Sequence, residues 1–181
     1  MIETERLLLR PLTEEDLELV CAIDTSEKLL RYTPYEIRDR KEAEAHLHEM
    51  IDDWKKTPRL HYEMAVILKE TGKAIGRTHV LLDLEIETGM IGWILLEEYW
   101  GNHYATEITK ALQEFCFVKL GMHRVNALTN PGNGAARRVL TSCGFRLEAH
   151  LKQKCRYQKH GQVSWEDELQ YAILDEEYGA C

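Results

Sequence analysis

Ile91-Gly92-Trp93-Ile94-Leu95-Leu96, running through Glu97-Glu98-Tyr99 into Trp100-Gly101-Asn102-His103-Tyr104-Ala105-Thr106, is the stretch that decides the fold. The first six residues are apolar apart from Gly92 and end at the acidic pair Glu97-Glu98, the pattern of a buried strand. Beyond Tyr104, Ile108, Ala111, Leu112, Phe115 and Cys116 recur at helical spacing until Gly121, which stops the helix. A strand that turns through a short Gly-containing loop into a helix start presents several unpaired backbone N–H groups. With the helix dipole they form an anion site suited to phosphates. The turn is neither G-x-x-x-x-G-K-[ST] nor G-x-G-x-x-G, so it is not a nucleotide-hydrolase or dinucleotide loop. A lone Gly in such a turn is equally compatible with a plain connection.

Upstream, Leu7 to Leu9 reads as a first strand closed by Pro11, and Thr13 with Asp16 caps a helix carrying Leu17, Val20 and Cys21. Residues 24–40 lack periodicity and read as a loop or broken helix. Ala43, Leu47, Met50, Ile51 and Trp54 mark a second helix that ends before Pro58. Met64–Leu68 and Ala74–Leu82 are strands joined by the turn Glu70-Thr71-Gly72-Lys73, followed by a strand from Met90 to Leu96. After the Tyr104–Leu120 helix come a strand over Arg124–Thr129 and a helix through Ala136, Val139, Leu140 and Cys143, ended by Gly144. Strands over Phe145–Leu151 and Glu168–Leu174 close the chain. The order β-α-α-β-β-β-α-β-α-β-β predicts one α/β domain over residues 1–181, a mixed, predominantly antiparallel sheet with helices on both faces.

The 181 residues, 44% hydrophobic and 30% charged, suit one globular domain and leave no room for a second of ordinary size. The longest apolar run, Met64 to Leu68, is far short of the ~20 residues a membrane helix needs, and no apolar signal core follows the N-terminus. No membrane is expected as a partner, and the cytoplasm is the expected compartment. A net charge of −8 argues against nucleic acid and favours cationic partners such as amines. The five cysteines show no C-x-x-C pair, which argues against disulfides and zinc; Cys21, Cys116 and Cys143 read as small core residues. His46 and His48, two apart on a helix, cannot share a face as metal ligands. No metal is expected.

Thr4-Glu5-Arg6-Leu7-Leu8-Leu9-Arg10, Ile91-Gly92-Trp93-Ile94 and Tyr99 through Glu107 together resemble the GNAT superfamily of acyl-CoA-dependent N-acetyltransferases. His123-Arg124-Val125, Asn130-Pro131-Gly132-Asn133 through Cys143-Gly144-Phe145, and Trp165-Glu166-Asp167-Glu168 add to the match, which is most similar to the RimJ/RimL-like branch. The resemblance implies a sheet with splayed central strands and acetyl-CoA as cosubstrate, without metal. It implies that backbone N–H groups of Trp100, Gly101, Asn102, His103, Tyr104 and Ala105, with Thr106, cradle the CoA pyrophosphate. Pantetheine then pairs with the strand edge at Ile94, Leu95 and Leu96, where the Leu95 N–H polarises the thioester carbonyl. Asn133 matches the Asn on the CoA arm, and Arg137 lies toward the cofactor's far end. A primary amine attacks directly, with no covalent enzyme intermediate.

Three positions depart from the family pattern. His103 stands at the second loop Gly, Met90 at the Glu that often serves as base, and Ala136 at the Ser that is a candidate acid. Asp167 is then a candidate base or a structurally satisfied carboxylate, and Tyr157 a candidate acid or an ordinary strand tyrosine. Trp93 and Trp165 line the acceptor pocket or fill core; Tyr32 and Tyr35, in the irregular loop, are candidate acceptor contacts. His103 either faces solvent or contributes to phosphate binding. The reading is an N-acetyltransferase for a peptide or protein N-terminus, with a small amine such as a polyamine or aminoglycoside as the alternative acceptor. A non-catalytic acyl-CoA-binding module is the rival of another class, and a homodimer is left open.

Overall fold

Strands with apolar residues on both faces need cover on both sides, and four longer helices among the described residues supply it. The computed structural model describes residues 1–159 and 161–178. Its strands are β1 (Ile2–Glu3), β2 (Leu7–Pro11), β3 (His61–Leu68), β4 (Lys73–Asp83), β5 (Thr88–Leu95), β6 (Arg124–Thr129), β7 (Arg146–Lys159) and β8 (Gln162–Leu174). The helices are α1 (Leu17–Asp24), α2 (Arg40–Asp53), α3 (Tyr104–Glu114), which runs on into a π-helical turn, and α4 (Gly134–Ser142). They surround one eight-stranded sheet of order β1-β2-β3-β4-β5-β6-β8-β7, mixed and mostly antiparallel, as the sequence predicts. Among the described residues no helix is long and apolar enough to cross a membrane.

The two faces are separately filled. Val66, Ile91, Leu95, Val125 and Tyr171 pack against Ile108 and Leu112 of α3, Cys116 of the π-helical turn and Leu140 of α4. On the other face Ala65 and Ile67, with Ile94 and Leu96, meet Val20, Ile23, Leu47 and Met50 of α1 and α2. Cys21, Cys116 and Cys143 are buried, as their helical spacing implies, and Cys181 lies outside the described residues.

The sequence reading falls short at two places. It misses β1, whose two residues leave no periodicity to read. It also truncates β7 and β8, which run well past Leu151 and start well before Glu168. Their far halves form a ribbon with solvent on it: Val163 is 49% and Trp165 56% exposed. A two-stranded ribbon with no one-sided burial carries no clean alternation.

The feature that positions a site lies between β5 and β6. These strands run parallel and pair only at Thr88↔Arg124, Gly89↔Val125 and Met90↔Asn126. Past Met90, β5 stays paired with β4 as far as Gly76↔Leu95, while β6 stays paired with β8 as far as Thr129↔Leu169. The sheet therefore opens into a gap whose walls are two unpaired strand edges.

Candidate active site

The residue pattern of β5 fixes which groups face the gap. Leu96 donates its N–H back toward β4, to the Ile75 carbonyl at 2.9 Å. Strand alternation then turns the backbone groups of Leu95, Trp93 and Ile91 into the gap and those of Ile94 and Leu96 away from it. This corrects the expected edge: of Ile94, Leu95 and Leu96, only Leu95 offers its N–H to a ligand strand. Its carbonyl is taken, accepting from Trp100 Nε1 at 2.8 Å.

The Trp100–Thr106 segment turns from this edge into α3. Gly101 (φ +77°) and His103 (φ +62°) are both left-handed, and His103 is the N-cap of α3 without a side-chain capping bond. Among the described residues, no acceptor takes the N–H groups of Gly101, Asn102, His103, Tyr104 or Ala105. The Asn102 side chain donates to the carbonyls of Tyr99 and Trp100, which ties the loop to itself. A Cβ built at Gly101 would meet nothing within 4 Å, so the approach to these donors is open.

One device fixing this loop was not legible as such. Glu107, on the first turn of α3, accepts from the Thr4 hydroxyl at 2.6 Å, the Arg6 N–H at 2.9 Å and Arg6 Nε at 2.7 Å. Arg6 also donates to the Asn102 carbonyl at 3.1 Å and covers the Tyr104 ring at 4.6 Å. The Thr4–Arg6 motif is thus a clamp on the loop and brings a cation to its rim. Thr106 is half-buried, and its carbonyl lies 3.8 Å from Sγ of Cys143, the residue that ends α4.

Across the gap, Asn133 caps α4, its Oδ1 accepting from the Ala136 N–H at 3.1 Å. Arg137 donates to the Pro131 carbonyl and the Tyr171 hydroxyl, lining a groove of about 490 Å³ with Arg138 and Ser142. Tyr157 is buried beside Asn130, and burial pushes its phenol up to about 12. Asp167 is held by Lys152 Nζ at 2.9 Å, His150 at 2.7 Å and the Gln153 N–H at 2.9 Å. Lys152 first, then Gln153 and His150, keep it well below the ordinary carboxylate range, which makes it a poor base. The structure favours its reading as a satisfied carboxylate. Trp165 is no core residue; it stands exposed on the β7–β8 ribbon opposite Arg156. Trp93 is half-buried and packs into the core on the α3–α4 side.

The segment between α1 and α2 spans the mouth of the gap. Lys28 pairs with Glu97 just before the loop, and Lys159 of β7 donates to the Leu30 carbonyl at 2.7 Å. Tyr32 reaches the turn at Gly132, whose Cβ would lie 3.1 Å from its ring. Tyr35 lines a cavity of about 430 Å³ with Glu36, Arg38 and Glu42. His46 is engaged with Asp24 at 2.5 Å and His48 with Glu14 at 3.0 Å.

A split α/β sheet whose open edge leads into a loop of unpaired N–H groups defines a binder of an extended, anionic ligand. Residues 6–146 match the family model for the acetyltransferase (GNAT) domain. The chain is 30% identical over 178 residues to the uncharacterized N-acetyltransferase YnaD of Bacillus subtilis, covering 98% of each. In fold it is similar to a spermidine N-acetyltransferase from Vibrio cholerae, solved with CoA and spermine (19% identity, TM-score 0.83, 97% and 99% of the two chains). It is also similar to RimJ from Mycobacterium smegmatis, solved with CoA-disulfide (23% identity, TM-score 0.81, 96% and 84%). The chain belongs to the GNAT acetyltransferase family, and its transfer chemistry uses acetyl-CoA. The residues present fit that group: five free donors in an open loop meet the need of a pyrophosphate, and the bare β5 edge that of an extended amide arm.

Proposed function

We propose that this N-acetyltransferase acetylates the α-amino group of a peptide or protein N-terminus. The observation that carries the transfer reading is the β5–β6 gap, open past Met90↔Asn126 and ending at the unpaired N–H groups of Gly101 through Ala105. Bound acetyl-CoA supplies the activated acyl group. Gly101 through Ala105 hold its phosphates by backbone donation, and Asn133 and Arg137 contribute from α4. The Leu95 N–H, aimed into the gap, is the donor for the acyl oxygen. Tyr157, with a phenol near 12, stays protonated at neutral pH and is the proton source for the departing sulfur.

The acceptor enters from the α1–α2 side, past Tyr32 and Tyr35. A free α-amine is the preferred nucleophile because Met90 leaves β5 without the carboxylate base the family often has there. A polyamine is the second reading, favoured by Glu36 and Glu42 on the Tyr35 cavity. Release of free thiol from acetyl-CoA only when an N-terminal peptide is added is the expected result. Thiol release with small polyamines alone would transfer the reading to them. A thermal shift with acetyl-CoA and no release with any amine would leave a binding module.

A further inference from the structure

The proton that an ammonium must lose has no acceptor at Met90, but the neighbouring strands bring one to the same face. Ile91, Trp93 and Leu95 point toward α3 and α4, so Met90, Gly92 and Ile94 point toward α1 and α2. Opposite Gly92 on β4 stands His79, and opposite His79 on β3 stands Glu63. The His79 ring lies directly over Gly92: a Cβ there would come within 2.6 Å of Nε2 and 2.5 Å of Cε1. Gly92 is thus the residue that lets an imidazole lie flat on β5, two positions past the last β5–β6 pair. The ring is 22% exposed, enough for contact with a ligand.

Glu63, the cross-strand neighbour of His79 on the same face, is buried, 8% exposed. Its Oε1 lies 4.0 Å from His79 Nδ1 and 3.3 Å from His61 Nε2, and its Oε2 has no hydrogen-bond partner among the described residues. A buried carboxylate oxygen left unpaired is costly unless the site uses it. From β4, Arg77 approaches Glu63 at 3.9 Å and is itself held by Asp24 of α1 at 3.3 Å. From α2, Asp53 holds His61 at 2.8 Å, and Tyr35 of the α1–α2 segment feels the Glu63 charge at the edge of the cavity. β5 contributes no titratable group to this face.

Resting on the acetyl-transfer reading, we infer that His79 is the base that takes the first proton from the acceptor ammonium, with Glu63 as its positioning residue. Nδ1 faces Glu63, leaving Nε2 for the amine or a water between. One proton passes from the ammonium to Nε2 and on to solvent. As the C–N bond forms and the C–S bond breaks, the Tyr157 hydroxyl gives its proton to the sulfur, and the amine's second proton passes through water to restore the phenol. Burial holds His79 below its ordinary 6.5, working against the pull of Glu63, so the ring is neutral and ready to accept at pH 7.

The experiment compares wild type with His79→Gln in pH profiles of kcat/KM for an N-terminal peptide, alongside an NMR titration of the imidazoles and the acetyl-CoA thermal shift. In wild type the rate should rise through a limb below pH 6.5 that coincides with the His79 resonance, then stay flat toward the acceptor's own pKa. In His79→Gln the rate at pH 7 should fall by about a hundredfold, with the limb moved up to the acceptor's pKa. The acetyl-CoA shift and KM should not change. A variant rate within twofold of wild type, or an unmoved limb, overturns His79 as the base. Wild type that binds acetyl-CoA but acetylates no amine overturns the transfer reading itself.

Discussion

Trp100 Nε1 donates to the Leu95 carbonyl at 2.8 Å, so the residue that opens the 100–106 loop also occupies the acceptor at the end of the β5 edge. The bond ties the loop to the strand edge, the two parts of the proposed cofactor site. Trp100→Phe keeps an aromatic side chain, smaller than the indole, and removes the donor, at a cost of about 1 kcal/mol for the bond. The expected result is a Tm lower by roughly 2–4 °C for a chain of this size. KM for acetyl-CoA should rise severalfold, with kcat within twofold. An unchanged KM would separate the Trp100 bond from cofactor binding.

His103 pays for its position. At φ +62° an L-side chain costs roughly 1–2 kcal/mol, which Gly does not. His103→Gly should therefore raise Tm by several degrees in the absence of ligand, and His103→Val, β-branched, should lower it. If the ring also serves phosphate binding, KM for acetyl-CoA rises in the more stable Gly variant. That opposition of stability and affinity is the signature to look for in a melting series with and without acetyl-CoA.

Acid stability should depend on the Glu107 clamp. Burial alone would raise the Glu107 carboxyl, but the Thr4 hydroxyl, the Arg6 N–H and the Arg6 guanidinium more than offset it and bring it below 4.5. A carboxylate lowered on folding contributes stability that is present above its unfolded value and lost as pH falls through the folded one. Unfolding free energy should therefore decline as pH drops below about 4.5. Glu107→Gln should flatten that decline and cost about 1.5–3 kcal/mol at pH 7. Urea titrations at pH 3.5, 5 and 7 distinguish the two; equal acid sensitivity would assign the decline to other carboxylates such as Asp16.

The fold was legible because its elements announce themselves locally. The Ile108, Leu112 and Cys116 stripe, the Gly72 turn and the Gly144 helix stop each state their structure within a few residues. The loop was legible for the same reason. What escaped were relations across the sheet. Glu63 and His79 are sixteen positions apart in the chain, and only the register Glu63↔His79 and His79↔Gly92 brings them to one face of β5. A sequence shows neither register nor which edge groups of Ile94, Leu95 and Leu96 turn outward. Gly92 was the available signal, since a strand-interior Gly marks a close approach, here by an imidazole. The sequence leaves Asp167 open between base and satisfied carboxylate, because its partners Lys152 and Gln153 lie on the ribbon whose pattern is unreadable.

Tyr157 gives a further test. Burial raises its phenol to about 12, with Asn130 working in the opposite direction. Tyr157→Phe removes only the hydroxyl from a buried site, so the fold should survive with a loss of about 1 kcal/mol. If the hydroxyl supplies the sulfur's proton, kcat should fall at least tenfold while KM for acetyl-CoA holds. A leaving group of lower pKa than CoA thiol should recover part of the loss. Equal losses with both thioesters would return Tyr157 to a structural role.

The choice of acceptor follows from the strength of the base. An imidazole held below 6.5 must take a proton from an α-ammonium of pKa about 7.7–8.0, or from a lysine or polyamine ammonium near 10.4. The difference between these donors is about 2.4–2.7 units, or roughly 3.3–3.7 kcal/mol at about 1.36 per unit. No other contact offsets this for a lysine unless the Glu36 and Glu42 cavity binds the second charge of a polyamine far more tightly than a peptide. An N-terminal peptide should therefore exceed an N-blocked lysine peptide by about a hundredfold or more in kcat/KM at pH 7. The gap should narrow as pH rises toward 10, where more lysine is neutral before it binds. The measurement is a set of three pH profiles, for an N-terminal peptide, the N-blocked lysine peptide and spermidine. Faster turnover of spermidine at pH 7 that survives Glu36→Gln with Glu42→Gln would show that acceptor basicity does not govern the reaction. If the double variant abolishes it instead, the polyamine reading takes precedence, with the carboxylates of the Tyr35 cavity as its specificity determinants.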